Sequence, residues 1–362
     1  MVKREDGKIG VIILIFLLLI VLCVVGAFIW YNSSLSAVQK DSEKVEIIIE
    51  EGMGVSQIAD KLEDESIIKN ATVFKIYCKL NNKTSLLAGK YELDKNMTVE
   101  QIISELEKGN VVDDSVTITF IEGKNMKWIA STIAEYTENS EDDVYVLLAD
   151  EDYLDSLIDE YWFITDDIKD DDIYYALEGY LYPDTYTFEN KDVDVKTIFK
   201  FMLDVMESQL EPYKSEIKSS KYSAHELLTI ASIVEKEALN ENDRAIVSRV
   251  LYNRLKAKMP LQCDVTTYYA LELDLDERDL SEDDLNTNNP YNTRDYSTAG
   301  KLPIGPICSP SASSIKAAIE PGDTDYLYFV ADKNGEVYYS RTNSEHEEMI
   351  KELKEKGLWY SY

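Results

Sequence analysis

Two carboxylates close a run that is otherwise almost wholly apolar. Residues 228–237 read Leu-Thr-Ile-Ala-Ser-Ile-Val-Glu-Lys-Glu, which places Glu235 and Glu237 two positions apart. On a helix, Glu235 falls between Ala231 and Leu228, and Glu237 between Ile233 and Ile230, while Lys236, Thr229 and Ser232 share the outward face. An ionised carboxylate in such surroundings is costly unless it is paired, and burial favours its protonated form. A carboxyl group that stays protonated near neutral pH is what general acid catalysis needs. Residues i and i+2 point to opposite sides of a helix, so the two cannot act together on one bond. One is expected to face a cleft and the other a structural partner. The competing reading is that both are structural.

The element that must position them starts at Ser223-Ala224-His225-Glu226, a capping box, and is expected to run to about Leu239. A second helix is expected over about Asn242–Met259, with Ile246, Val247, Val250, Leu251 and Leu255 on its apolar face. Arg254 sits in the middle of that face. A guanidinium there needs a carboxylate, and Glu237 is the expected partner. The alternative is that the Arg254 stem runs along apolar surface to put its head in solvent.

Ile9 to Tyr31 is an uncharged, mostly aliphatic run, as long as the roughly 20 residues a membrane-spanning helix needs. Trp30 and Tyr31 fall where an interfacial aromatic belt is expected, and Lys3, Arg4 and Lys8 precede the run. A retained single-pass anchor follows, with residues 1–8 cytoplasmic and the chain from Asn32 onward outside the cell membrane. A cleaved signal peptide is the competing reading. The formal charge of −32 opposes nucleic-acid binding, which needs the opposite sign. Four cysteines without CxxC spacing, and two histidines without ligand-like neighbours, suggest neither a disulfide framework nor a metal site. A Cys263–Cys308 bridge is left open.

Past a polar stalk at 32–43, a short pattern repeats. Val45–Ile49, Glu51-Gly52 and Val55, Ile58, Ala59, Leu62 read as strand, turn and amphipathic helix. Val116–Phe120, Glu122-Gly123 and Met126, Ile129, Ala130, Ile133 repeat the order, and Gly89–Tyr91 with Thr98–Leu106 is a weaker third version. Residues 44–135 are therefore expected to form small strand–helix modules. They resemble LysM-like modules, which bind N-acetylglucosamine-containing glycans; a spacer without a ligand is the alternative. Residues 136–173 are strongly acidic with interleaved apolar positions, as in a helical connector with one solvated face. The remainder, 174–362, is expected to be an α+β domain holding the chemistry. It contains the aromatic turn Leu177–Tyr186, the Pro/Gly loop Leu302–Ile307, and a β-hairpin of 326–331 with 337–339 around Asn334-Gly335.

In this order the motifs resemble the YceG-like family of membrane-anchored endolytic murein transglycosylases. The matching residues are Leu177-Glu178-Gly179 with Pro183-Asp184-Thr185-Tyr186, Ala231–Glu237, and Asn253-Arg254-Leu255. They continue with Leu261-Gln262 and Asp264, Tyr291-Asn292-Thr293, Leu302-Pro303 with Gly305-Pro306-Ile307, and Tyr326–Val330. Arg294 and Cys263 depart from the family pattern. The resemblance implies a cofactor-free lyase that cuts between N-acetylmuramic acid and N-acetylglucosamine inside nascent glycan strands. It leaves a 1,6-anhydromuramyl end and so terminates polymerisation. The expected partners are glycan strands, the cytoplasmic membrane and peptidoglycan synthases. The family's catalytic acid falls on Glu235. Glu178, Asp184, Tyr186, Glu237, Arg254, Gln262, Asp264, Asn292 and Thr293 are the expected substrate-binding or supporting residues. One carboxyl group suffices, because it can protonate the leaving oxygen and then accept the proton of the attacking C6 hydroxyl. A muramidase that uses water at the same bond, and a non-catalytic glycan-binding scaffold, are the alternative readings.

Overall fold

The computed structural model describes residues 6–109, 114–238 and 240–359. Its contacts divide between Asp114 and Ser115 into two compact units.

The first unit opens with α1 (Asp6–Leu35), a 30-residue helix. From Val11 to Trp30 its large apolar side chains are exposed rather than packed on protein. It is long and apolar enough to cross a membrane. There follow β1 (Lys44–Ile49), α2 (Val55–Asp64), α3 (Ala71–Leu80), β2 (Gly89–Asp94) and α4 (Val99–Lys108). β1 and β2 pair antiparallel, with Ile47 opposite Tyr91. Alternation puts Ile47, Ile49, Tyr91 and Leu93 into the core, where Leu62 and Phe74 from the helices meet them. The Thr98–Gln101 capping box starts α4.

The first and third versions of the sequence repeat are thus two halves of one βααβ arrangement with an added helix. The second version is β3 (Val116–Thr119) and α5 (Met126–Tyr136), and it belongs to the other unit. The expected boundary at 135 falls at 114 instead, because β3 pairs antiparallel with β4 (Thr185–Phe188). Between these strands lie α6 (Glu141–Leu148) and α7 (Glu151–Glu160). Their acids face solvent while Val144, Leu147, Leu154 and Leu157 enter the core. The expected acidic connector is therefore an integral part of the second unit.

The chain continues through α8 (Val195–Leu210), α9 (Lys214–Ser219), α10 (Ala224–Glu237), α11 (Glu241–Lys256), α12 (Asp264–Ala270), α13 (Glu282–Leu285) and α14 (Ala312–Ile319). It ends with β5 (Tyr328–Ala331), β6 (Val337–Ser340) and α15 (Asn343–Glu355). The hairpin forms as expected, with Val330 opposite Tyr338. α10 is the central element. Every residue from Leu227 to Val234 is buried, and α11 and α14 pack against it. Its start follows the sequence, since the Ser223 hydroxyl accepts from the Glu226 amide and the Glu226 carboxylate from the Ser223 amide. The helix closes at Glu237; Leu239 lies outside the described residues.

Candidate active site

Glu235 occupies the last turn of α10 and is held from two directions. Arg244 Nη2, from the first turn of α11, donates to Oε1 at 3.0 Å. The Ser311 amide and hydroxyl donate to Oε2 at 2.9 and 2.5 Å. Ser311 is the N-cap of α14, so the carboxylate also faces the positive end of that helix. Arg244 Nη1 in turn donates to the hydroxyls of Ser311, at 2.6 Å, and Ser313. Both partners are almost closed off from water, the side chains being 7% exposed for Glu235 and 10% for Arg244. An ion pair so buried is stable only because each charge keeps several hydrogen bonds.

Two chain segments close over this end of α10. The Pro/Gly loop lies along the helix: the Ile307 amide donates to Ser232 Oγ at 3.1 Å, and His225 Nε2 pairs with the Ile304 carbonyl at 2.8 Å. Gly179, at φ +78°, lets the 177–182 turn pass beneath the same loop. A Cβ there would fall 2.3 Å from Pro306 Cβ. The turn after β3 docks from the other side. Gly123 and Lys124 exchange backbone bonds with Ser309, at 2.8 and 2.9 Å, and Lys236 Nζ donates to the Gly123 carbonyl at 3.3 Å. A Cβ on Gly123 would stand 3.6 Å from Glu235 Cγ, so this turn abuts the carboxylate directly. Burial first, and then the charge of Glu235, raise the carboxyl pKa of neighbouring Glu122.

Glu178 is 1% exposed. Its Oε2 accepts from the Met126 amide at 2.9 Å and the Tyr269 hydroxyl at 3.0 Å, while Oε1 has no hydrogen-bond partner. Desolvation pushes this carboxyl up to about 7, with the Met126 and Tyr269 bonds pulling the other way. Glu178 thereby ties α5 to α12 and stands behind a cleft of about 460 Å³. Trp128, Tyr174, Tyr175, Tyr268 and Tyr269 line that cleft together with Gly123, Lys124 and Lys236; Glu235 does not line it but lies directly behind Gly123. Aromatic faces with polar groups between them suit sugar rings.

The other expected site residues separate into supports. Arg254 does not pair with Glu237. Its Nε donates to the Pro260 carbonyl at 2.9 Å, Nη1 to the Leu327 carbonyl at 3.0 Å and Nη2 to Gln262 Oε1. Carbonyl and amide oxygens satisfy this guanidinium, so no carboxylate is needed. Gln262 sits in the left-handed region at φ 58°. Glu237 lies instead beside Cys263, Asp264 and Arg294. Burial, and next the Asp264 charge, push its carboxyl up to about 7, opposed by the Cys263 thiol and Arg294. Asp264 pairs with Arg294. Asn292 and Thr293 are buried and pin the 262–267 segment: Asn292 Oδ1 accepts from Thr267 Oγ1, and Thr293 Oγ1 from the Cys263 amide, both at 3.0 Å. Asp184 is exposed and caps its own turn through the Thr185 amide, while Tyr186 is buried and donates to the Tyr182 carbonyl. Cys263 and Cys308 are both buried and free, so no bridge joins them. Sequence reasoning missed Arg244, Ser311 and Tyr269. The turn before Met126 carries only a strand–turn–helix signal in the sequence.

These features define an α+β protein with one long apolar N-terminal helix and, next to an aromatic cleft, a buried carboxylate held by an arginine and a helix N-cap. Residues 47–352 match the YceG-like family, and the chain belongs to it. It is 41% identical over 323 residues to the endolytic murein transglycosylase of Bacillus subtilis, covering 89% of this chain and 88% of that one. It is 34% identical to the endolytic murein transglycosylase of Streptococcus pneumoniae strain D39, over 93% of this chain but only 64% of that longer protein. A crystal structure of a YceG-like protein from Listeria monocytogenes superposes with a TM-score of 0.61 at 38% identity, covering 85% of this chain and all of that one.

Proposed function

We propose that this protein is an endolytic peptidoglycan lytic transglycosylase whose acid–base group is Glu235. It is a lyase by this reading, and its substrate is the murein named for its relatives. The observation that carries the assignment is the hold on Glu235, a nearly buried carboxylate with an arginine able to take up its charge, set behind Gly123 and next in sequence to Lys236, both of which line an aromatic cleft.

The reaction needs no water. The protonated carboxyl gives its proton to the glycosidic oxygen, and the bond from that oxygen to muramyl C1 breaks. The resulting carboxylate takes the proton of the muramyl C6 hydroxyl as O6 bonds to C1, which restores the acid and leaves a 1,6-anhydromuramyl end. Arg244 fits this cycle. The Ser311 and Ser313 hydroxyls keep it bonded while Glu235 is protonated, and it returns to Oε1 when the charge reappears. Glu178, neutral over much of the range below about pH 7, braces the cleft wall through Tyr269.

By the same reading α1 anchors the chain with its N-terminus cytoplasmic and both units outside. The βααβ arrangement of the first unit supports a LysM-like role in holding glycan. Cutting a nascent strand ends its polymerisation, which puts the enzyme beside peptidoglycan synthases.

The test is the mass of products from peptidoglycan digested by the detergent-solubilised chain. Anhydromuramyl ends are expected, and Glu235→Gln should lower the rate by about 10²–10⁴-fold while leaving the fold intact. A reducing muramyl end would make the enzyme a hydrolase. No soluble product from the unaltered chain would leave a glycan-binding scaffold. Protease added to intact spheroplasts should degrade the bulk of the chain; survival of the full length would refute the topology.

A further inference from the structure

The wall of the cleft around Gly123, the residue that separates it from Glu235, is cationic, in a chain whose formal charge is −32. Lys124 and Lys236 both line it. Lys236 reaches across to the Gly123 carbonyl, and Lys124 lies over the Trp128 ring, 5.7 Å from its centroid. Among the described residues neither lysine has an ion-pair partner, whereas Lys127, also in the lining, is paired with Glu272. The acids of the lining, Glu272, Asp274 and Asp276, all come from the segment after α12. Glu122 shares the turn with Lys124 but does not line the cleft.

The two sugars of murein differ at one position. The muramyl residue carries a lactyl ether on O3, and N-acetylglucosamine carries a hydroxyl. That ether ends in a carboxylate when free, and in a peptide bearing carboxylates when substituted. A neutral aromatic cleft gains little from this difference, but a pair of unpaired ammonium groups does.

We propose that Lys124 and Lys236 hold the carboxylate carried by the O3 substituent of the muramyl sugar, seating that sugar beside Glu235. For its substrate class this rests on the transglycosylase reading. Trp128, half-buried and already stacked with the Lys124 ammonium, offers the ring face against which the same sugar packs. The placement meets the chemistry, because the acid must act on the oxygen attached to muramyl C1. Specificity for which bond is cut thus comes from charge read at O3 as well as from the shape of the cleft.

The test uses the full chain in detergent carrying Glu235→Gln, which binds without cutting. Three oligosaccharides of equal length are titrated: a chitooligosaccharide, a murein strand stripped of peptide, and a murein strand with its peptides. At least one murein strand is expected to bind about fivefold more tightly than the chitooligosaccharide, the scale of two partly exposed ion contacts. Lys124→Gln with Lys236→Gln should erase that gap, and so should high salt. A gap for the stripped strand places the recognised charge on the lactyl carboxylate; a gap for the peptide-bearing strand alone places it on the peptide. Equal binding of all three probes, or a gap untouched by the double lysine variant, overturns the proposal. Should Glu235→Gln fold poorly, the lysine variants are made in the unaltered chain, where KM for murein is expected to rise about fivefold with kcat changing far less. Absence of cleavage by the unaltered chain would defeat the transglycosylase reading and leave the binding comparison to stand or fall separately.

Discussion

Replacing Glu178 by glutamine should change how stability depends on pH. The side chain is 1% exposed, and its carboxyl is raised from an ordinary 4.5 to about 7 by desolvation. In the unfolded chain the group loses its proton near its ordinary value, while in the folded chain it keeps it until about pH 7. The folded state therefore binds the extra proton over that interval. The stabilisation is full below the unfolded value and is lost as pH rises through the folded one. At about 1.4 kcal/mol per unit, the loss is about 3 kcal/mol. Glutamine is neutral throughout, and its carbonyl oxygen can still accept from the Met126 amide and Tyr269 hydroxyl. Groups common to both proteins, Glu237 included, cancel in the comparison. The difference in stability between variant and parent should thus swing by about 3 kcal/mol in the variant's favour between pH 4 and 8.5. For a unit of this size that is about 6–12 °C in Tm. The assay is thermal unfolding of both proteins across that range. A Tm difference that stays constant with pH would refute the argument, and one that moves in favour of the parent at high pH would reverse its sign.

Arg244→Met leaves Glu235 as an uncompensated buried charge and should cost about 3–5 kcal/mol, read as a fall in Tm; a change under about 1 kcal/mol would mean the pair is solvated. Glu235→Gln should destabilise more than Glu237→Gln in thermal unfolding near pH 6, because the first breaks an ion pair and the second replaces a carboxyl already close to neutral. Gly179→Ala should cost about 2–4 kcal/mol in chemical denaturation, combining a left-handed backbone with overpacking against Pro306.

Local signals in the chain were sufficient for local structure. The Ser223 capping box, the apolar spacing after it and the Asn334-Gly335 turn each act over a few residues, and the elements they specify are present. Partnerships were harder to read. Arg254 in the middle of an apolar face suggested a carboxylate, but periodicity says only that a cation is buried, and carbonyl oxygens from 260 and 327 satisfy it equally. The true partner of the catalytic candidate, Arg244, stands at the start of α11, across a corner that helical periodicity does not cross. Ser311 is 76 residues away and looks like an ordinary N-cap. The repeat misled for a related reason. Val116–Thr119 has the same strand pattern as Val45–Ile49, yet its pairing strand arrives after α7 rather than after two short helices.

The reach of the contacts around α10 has a kinetic consequence. Glu235 meets Ser311 across 76 residues, Lys236 meets Gly123 across 113, and Glu178 meets Tyr269 across 91. No supersecondary piece of the chain contains enough of these groups to build even half of the centre. Such long closures come late, after most of the ordering entropy has been spent. A partly synthesised or locally opened chain can keep Glu235 against Arg244, nine residues on, but it lacks the Ser311 hold and the Gly123 wall. For an enzyme that severs the mesh holding its own cell together, competence arrives all at once with the finished fold and disappears the same way.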